Sequence, residues 1–186
     1  MGHGHVTPNE DGSIARCGGP ALCDACALEL AELNRARTDE FLAGVRDKLD
    51  RYGVIVQGVV PHDEEPFAYT VGLEPDHPEL LLCGLDMDTA HNVLGALAMD
   101  LQAGKRRRVR HGLPVVDALA EGYALMPLDL GTDAPVNVAS AILGRPARAF
   151  QLVWPDAEHR WPWEAGYALP PGAQAVYGVP PEAVGR

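Results

Sequence analysis

Between Phe67 and Gly104 an apolar run, a tight connection, a second apolar run and a helical stretch follow one another without interruption. Phe67-Ala68-Tyr69-Thr70-Val71-Gly72-Leu73 and Glu79-Leu80-Leu81-Leu82-Cys83-Gly84-Leu85 read as strands joined through Glu74-Pro75-Asp76-His77-Pro78. In the helix that follows, capped by Asp86 or Asp88, Ala90, Val93, Leu94, Leu97 and Leu101 recur at the spacing of one helix face, and Gly104 stops it. Any fold for this chain has to wrap around that block, which sets several titratable groups beside an apolar sheet.

On either side the signals are shorter. Residues 1–20 are rich in Gly, Pro, Asn and Asp and show neither period, which reads as an extended arm. A short helix is expected over Cys23–Arg37. A second begins at Thr38 as N-cap, with Asp39 and Glu40 in its first turn, the face Phe41, Val45, Leu49, Tyr52, and Gly53 as the stop. Val54–Val60 is β-branched and nearly continuous, as a buried strand requires. Further strands are expected at Tyr123–Leu130, where Pro127 suits an edge, and at Ala147–Trp154, with a helix over Asn137–Leu143 stopped by Gly144. The reading is an α+β domain, a mostly antiparallel sheet of about five strands with two to three packed helices. Its parts are an arm with a Cys cluster and short helix (1–37), the domain (38–164) and a Pro/Gly-rich tail (165–186).

Length and charge limit the function. A chain of 186 residues fits one domain with a buried core. The net charge of −11 opposes nucleic acid and anionic membrane as partners, with the basic run Lys105–His111 as the local exception. That run carries no interleaved aromatics and reads as a solvated strand rather than a phosphate-binding surface. The N-terminus has no basic flank and apolar block, and no apolar run reaches the roughly 20 residues that span a bilayer, so a cytoplasmic protein is expected.

Four constellations hold chemistry. His5, Cys17, Cys23 and Cys26 offer imidazole and thiolates for a tetrahedral structural zinc that would pin the arm. A thiol redox pair and inert cysteines are the other two readings of the same residues. In the hairpin turn, His77 and Glu79 are the candidate acid–base pair, with Asp76, Tyr69 and Thr70 beside them; ordinary turn chemistry is the plainer alternative. Trp154, Asp156 and Trp161 lie in a segment with three tryptophans, either walling a ligand pocket or covering an open sheet face. The fourth is the basic run itself. No G-x-S-x-G, P-loop, G-x-G-x-x-G or H-E-x-x-H sequence occurs.

Tyr69-Thr70-Val71-Gly72-Leu73, His77-Pro78-Glu79-Leu80, the Ala- and Leu-rich helix, Gln151-Leu152-Val153-Trp154-Pro155-Asp156 and Trp161-Pro162-Trp163 together resemble the bacterial domain-of-unknown-function family 4262. The resemblance spans about Tyr52 to Glu164. It implies no activity, cofactor or catalytic residue, and the Cys-rich arm and Arg106–Arg108 lie outside its pattern.

The function expected is therefore binding of a small ligand in a cleft between the central hairpin and the Trp-rich segment, lined by Tyr69, Thr70, His77, Glu79, Trp154, Asp156 and Trp161. A small metal-dependent or acid–base enzyme and a protein-interaction module are the alternatives. If zinc pins the arm, protein purified without added metal carries one zinc per chain by elemental analysis, and Cys17→Ala with Cys23→Ala abolishes it; a metal-free wild type removes the staple.

Overall fold

The computed structural model describes residues 24–62, 65–106, 108–119 and 122–181. The chain divides into two compact units, 1–45 and 46–186. Helix α1 (Asp24–Tyr52) runs through the boundary between them.

α1 is one continuous helix where the sequence reading breaks it at Thr38. The Thr38 hydroxyl donates back to the Asn34 carbonyl at 2.9 Å, four residues earlier, so it bonds within the helix instead of starting a new one. Val45 is buried and Leu49 half-buried, while Phe41 and Tyr52, assigned to the same face, are exposed. Gly53 ends α1 at φ +77, a left-handed conformation that suits glycine.

Five strands follow in a single sheet: β1 (Ile55–Val59), β2 (Phe67–Val71), β3 (Glu79–Cys83), β4 (Met126–Gly131) and β5 (Ala149–Val153), in the order β1-β2-β3-β5-β4. All neighbours are antiparallel except β3 and β5, which run parallel. Helices α2 (Met87–Gln102) and α3 (Asn137–Leu143) complete the fold. Asp86 is the cap of α2, its carboxylate accepting from the Thr89 amide at 2.9 Å, and Gly144 closes α3 at φ +68.

Every residue of β2, β3 and β5 is buried, because both faces of the sheet are covered. On one face Ala68, Leu80, Leu82, Phe150 and Leu152 pack against Ala90, Leu94, Leu97, Ala98 and Leu101 of α2. Each such leucine contributes about 1.5–3 kcal/mol relative to exposure. On the other face Tyr69, Leu81, Gln151 and Leu128 form a row across four strands, since they are register partners in turn. Met126, Leu128 and Val153 there are covered by Trp161, Trp163 and Val176.

Pro127 sits in β4 at the sheet edge, where its missing N–H breaks no ladder. That edge is closed by the loop after α2: the Gly112 amide donates to the Pro127 carbonyl at 2.9 Å and the Asp129 amide to His111 Nδ1 at 3.2 Å. The described part of Lys105–His111 is thus a loop, not the strand expected, because its backbone bonds go to a turn and an edge.

Two side-chain amides tie the C-terminal tail to the sheet. Gln151, fully buried, donates from Nε2 to the Ala175 carbonyl at 2.5 Å, and its Oε1 accepts from the Tyr177 amide at 2.8 Å. Gln174 does the reverse, accepting from the Trp154 amide at 3.1 Å and donating to its carbonyl at 2.5 Å. The backbone comes so close at Gly84 that a Cβ there would lie 2.3 Å from the Ala173 carbonyl oxygen. Gln151→Leu removes the bonds to the Ala175 carbonyl and the Tyr177 amide, leaving that carbonyl the weaker Cys83 thiol as donor, so it should cost roughly 1–3 kcal/mol in urea unfolding and expose residues after 168 to proteolysis. Wild-type protease resistance in that variant would mean the amide does not hold the tail.

Candidate functional site

The β2–β3 connection is shaped by a carboxylate. Glu79, 1% exposed, accepts from the Thr70 hydroxyl at 2.6 Å through one oxygen. Through the other it accepts from the amides of Gly72, Leu73 and Glu74 at 3.0, 3.1 and 3.3 Å. Thr70 in turn accepts from the Leu80 amide at 2.8 Å. A buried turn has to satisfy its amides, and here a side chain supplies what a ladder would. Gly72 permits this at φ +111, where a Cβ would lie 2.6 Å from the Gly53 carbonyl.

Glu74, with its peptide to Pro75 cis, is the second buried carboxylate. It meets Arg145 Nη2 at 2.5 Å and Arg148 Nε at 2.8 Å. The two carboxylates titrate in opposite directions for a clear reason. Burial pushes Glu79 up, and its partners are neutral donors that only partly compensate, so its carboxyl lies above the usual range. Burial pushes Glu74 up as well, but hydrogen bonds and charge from Arg145 and Arg148 outweigh it and hold that carboxyl below the usual range.

Within this frame His77 occupies the turn, its amide donating to the Leu73 carbonyl at 3.0 Å. Its ring is half-buried, and Nδ1 is buried without a hydrogen-bond partner. The ring lines a groove of about 490 Å³ with Gly72, Leu73, Glu74, Asp76, Leu101, Gln102 and Arg108.

Of the seven pocket residues expected from the sequence, His77 alone lines this groove. Tyr69, Thr70 and Glu79 are gathered near it but spent on the interior. Tyr69 is 1% exposed and its hydroxyl accepts from the Val138 amide at the start of α3 at 3.1 Å; burial, against that bond, pushes its phenol up. Trp154 is at the other end of the sheet: its indole donates to the Cys83 carbonyl at 3.0 Å, at the last residue of β3, whereas His77 precedes the first. The intervening strand is about 13 Å long at 3.3 Å per residue. Trp161 stacks on Trp163 at 5.9 Å, on the face away from α2.

Asp156, 2% exposed, is consumed by its own loop. It accepts from the amides of Glu158, Arg160 and Ala168 at 3.0, 2.9 and 2.8 Å and from Arg160 Nε at 3.0 Å. Burial opposes its charge, but those amides and the guanidinium win and hold it below the usual range. The hairpin turn and the tryptophan segment therefore do not wall one cleft, since parallel pairing of β3 with β5 sends them to opposite ends of the strands.

Of the expected metal ligands, His5, Cys17 and Cys23 lie outside the described residues, and Cys26 is buried in α1. Among the described residues no group of three or more His, Cys, Asp or Glu is placed to hold a metal ion. Cys83 is buried, its thiol donating to the Ala175 carbonyl at 3.1 Å, and burial pushes it up to about 11. Gln102, Arg108 and the Glu74–Arg145–Arg148 cluster carry no motif, and only folding gathers them.

These features define an α+β domain with a mixed five-stranded sheet, one face under α2 and the other under a stapled tail. Residues 48–168 match the family described as domain of unknown function (DUF4262), and the chain belongs to that family. The matched stretch ends at Ala168, the last residue that closes the Asp156 loop. The chain matches no curated protein and no solved structure. Among the described residues no helix is long and apolar enough to cross a membrane.

The opposite titrations give a signed expectation. Glu74, lowered, contributes stability that is present above its ordinary value of 4.5 and lost as pH falls through its folded value. Glu79, raised, contributes stability that is present below 4.5 and lost as pH rises through its folded value. In urea unfolding followed from pH 3 to 7, the advantage of wild type over Glu74→Gln should shrink on acidification, and its advantage over Glu79→Gln should grow. Parallel curves would contradict the pairing described.

Proposed function

We propose that the domain binds a small polar molecule in the 490 Å³ groove at the β2–β3 turn, with His77 as a contact residue. The observation that carries this reading is the half-buried His77 ring, with a buried nitrogen that no protein group satisfies, on the wall of a concave site. Buried polar atoms are nearly always paired, and the exceptions concentrate where a ligand or a reaction uses them.

The lining favours a ligand carrying both charges. Asp76 is exposed, and Arg108 is exposed and forms no ion pair among the described residues, so the groove offers one open anion and one open cation. Glu74 adds no third open charge, because two arginines neutralise it. An amino-acid-like zwitterion fits: its carboxylate toward Arg108, its ammonium toward Asp76, and the exposed Gln102 donating or accepting as needed.

The enzyme alternative has less support. Acid–base work needs a histidine held by a carboxylate, and His77 Nδ1 has no such partner while Glu79 is occupied by four donors.

A thermal-shift screen with free amino acids tests the proposal. A zwitterion present at 100 times its Kd should raise stability by about 2.7 kcal/mol. The shift should vanish in His77→Ala and in Arg108→Ala, with Gln102→Ala reducing it should the first of these fold poorly. No shift with any amino acid, or an equal shift in all three variants, would defeat the reading.

A further inference from the structure

A second concavity of about 830 Å³ lies where the chain leaves α2, lined by residues from Asp100 to Val116. Its charged wall holds Lys105, Arg106, Arg108 and Arg110 against the single carboxylate of Asp100, four cations to one anion on a chain of net charge −11. Arg106 is committed in part: its Nη1 donates to the Val116 carbonyl at 2.9 Å, while its buried Nε, 3.9 Å from Asp100, has no hydrogen-bond partner. Lys105, Arg108 and Arg110 are exposed and form no ion pair among the described residues. Complementing the C-terminal dipole of α2 accounts for Lys105 and Arg106, but that effect fades within a turn and leaves Arg108 and Arg110 without a structural role.

The same groove has an apolar side. Leu113 and Val116 are 58% and 57% exposed, and Pro114 and half-buried Val109 adjoin them. Exposing such side chains beside unpaired cations costs solvation with no gain to the fold, and it provides what an amphipathic anion needs.

We infer that this groove is a binding site for a small organic anion with an apolar body, of the aryl or acyl phosphate or carboxylate class, with anion contacts distinct from those of the zwitterion groove although Arg108 borders both. The anionic group meets Lys105 and Arg110, and the body lies on Leu113 and Val116. The volume falls within the range of small-molecule sites, roughly 300–1,000 Å³. A polyanion or an anionic bilayer is disfavoured because either would meet the acidic remainder of the surface as well, within about one Debye length of 8 Å.

Calorimetric titration of the full chain with 1-naphthyl phosphate, inorganic phosphate and 1-naphthol tests this. The expected result is saturable one-to-one binding of naphthyl phosphate, at least tenfold tighter than either fragment and weakened by salt. Lys105→Glu with Arg110→Glu should weaken it at least tenfold, and so should Leu113→Asp. Arg35→Glu with Arg37→Glu, on α1 and lining neither groove, makes the same change in net charge and should leave it intact. Equal binding of either fragment, no binding of naphthyl phosphate, an equal loss in the α1 variant, or preferential binding to phosphatidylserine vesicles would each overturn the assignment. Retained amino-acid shifts in Lys105→Glu/Arg110→Glu show that the two grooves fail or succeed separately.

Discussion

The Glu79 carboxylate carries the organisation of this domain. It stands at the first position of β3, beyond the reach of water, and gathers a hydroxyl and three consecutive backbone amides of the β2–β3 connection. A turn of that shape has no internal ladder, so without an acceptor its amides would be buried and unpaired, at roughly 1–3 kcal/mol each. Because Glu79 fixes the backbone from Gly72 to Glu74, it also fixes where Glu74 meets Arg145 and Arg148, and where His77 sits against α2. The cost of the arrangement is a buried carboxyl with neutral donors alone, which burial pushes above the usual range. Glu74, a few residues away and less deeply buried, has two guanidinium partners that shift that balance the other way.

The same economy governs the other distinctive residues. Gln151 interrupts an otherwise apolar row and turns its amide to the tail backbone; Asp156 uses its carboxylate to close a loop; Trp154 ties its indole to the end of β3. Polar side chains in a signature are easily taken for chemistry. In this fold they replace backbone ladders wherever an irregular segment crosses the sheet. Besides a concavity of about 390 Å³ along the tail, two open concavities lie at the C-terminal end of α2.

Charge is partitioned there unevenly. An acidic chain collects cations around one helix end, and Arg108 borders both concavities. Arg106 is tied to the Val116 carbonyl and lies in a long ion pair with Asp100, whereas its exposed neighbours form no ion pair among the described residues. The loop that bears them is anchored at its far end, where His111 and Gly112 close the β4 edge. The described residues on either side, Arg106 and His111 with Gly112, are tied to their neighbours, while Lys105, Arg108 and Arg110 keep exposed side chains.

The existence of the strands, α2 with its Asp86 cap, the Gly53 and Gly144 stops and the edge position of Pro127 are legible in the sequence, because each rests on local periodicity or on a backbone preference of a few residues; the burial expected of Val54–Val60 is not met, since β1 is a half-buried edge strand. The sequence also marks His77 and the basic run as polar features, but reads the first most plainly as turn chemistry and the second as a solvated strand. It misleads at Thr38, where a good cap residue is absorbed into a longer helix by a bond four residues back. The pairing of β3 with β5 was decided only by tertiary structure. That parallel pairing separates the hairpin turn from the tryptophans, while the packing of α2 on the sheet brings Gln102 and Arg108 to His77. No spacing rule encodes such a choice, since it depends on which strand a distant segment adds to and in which direction, a matter of burying the whole sheet rather than of any one stretch.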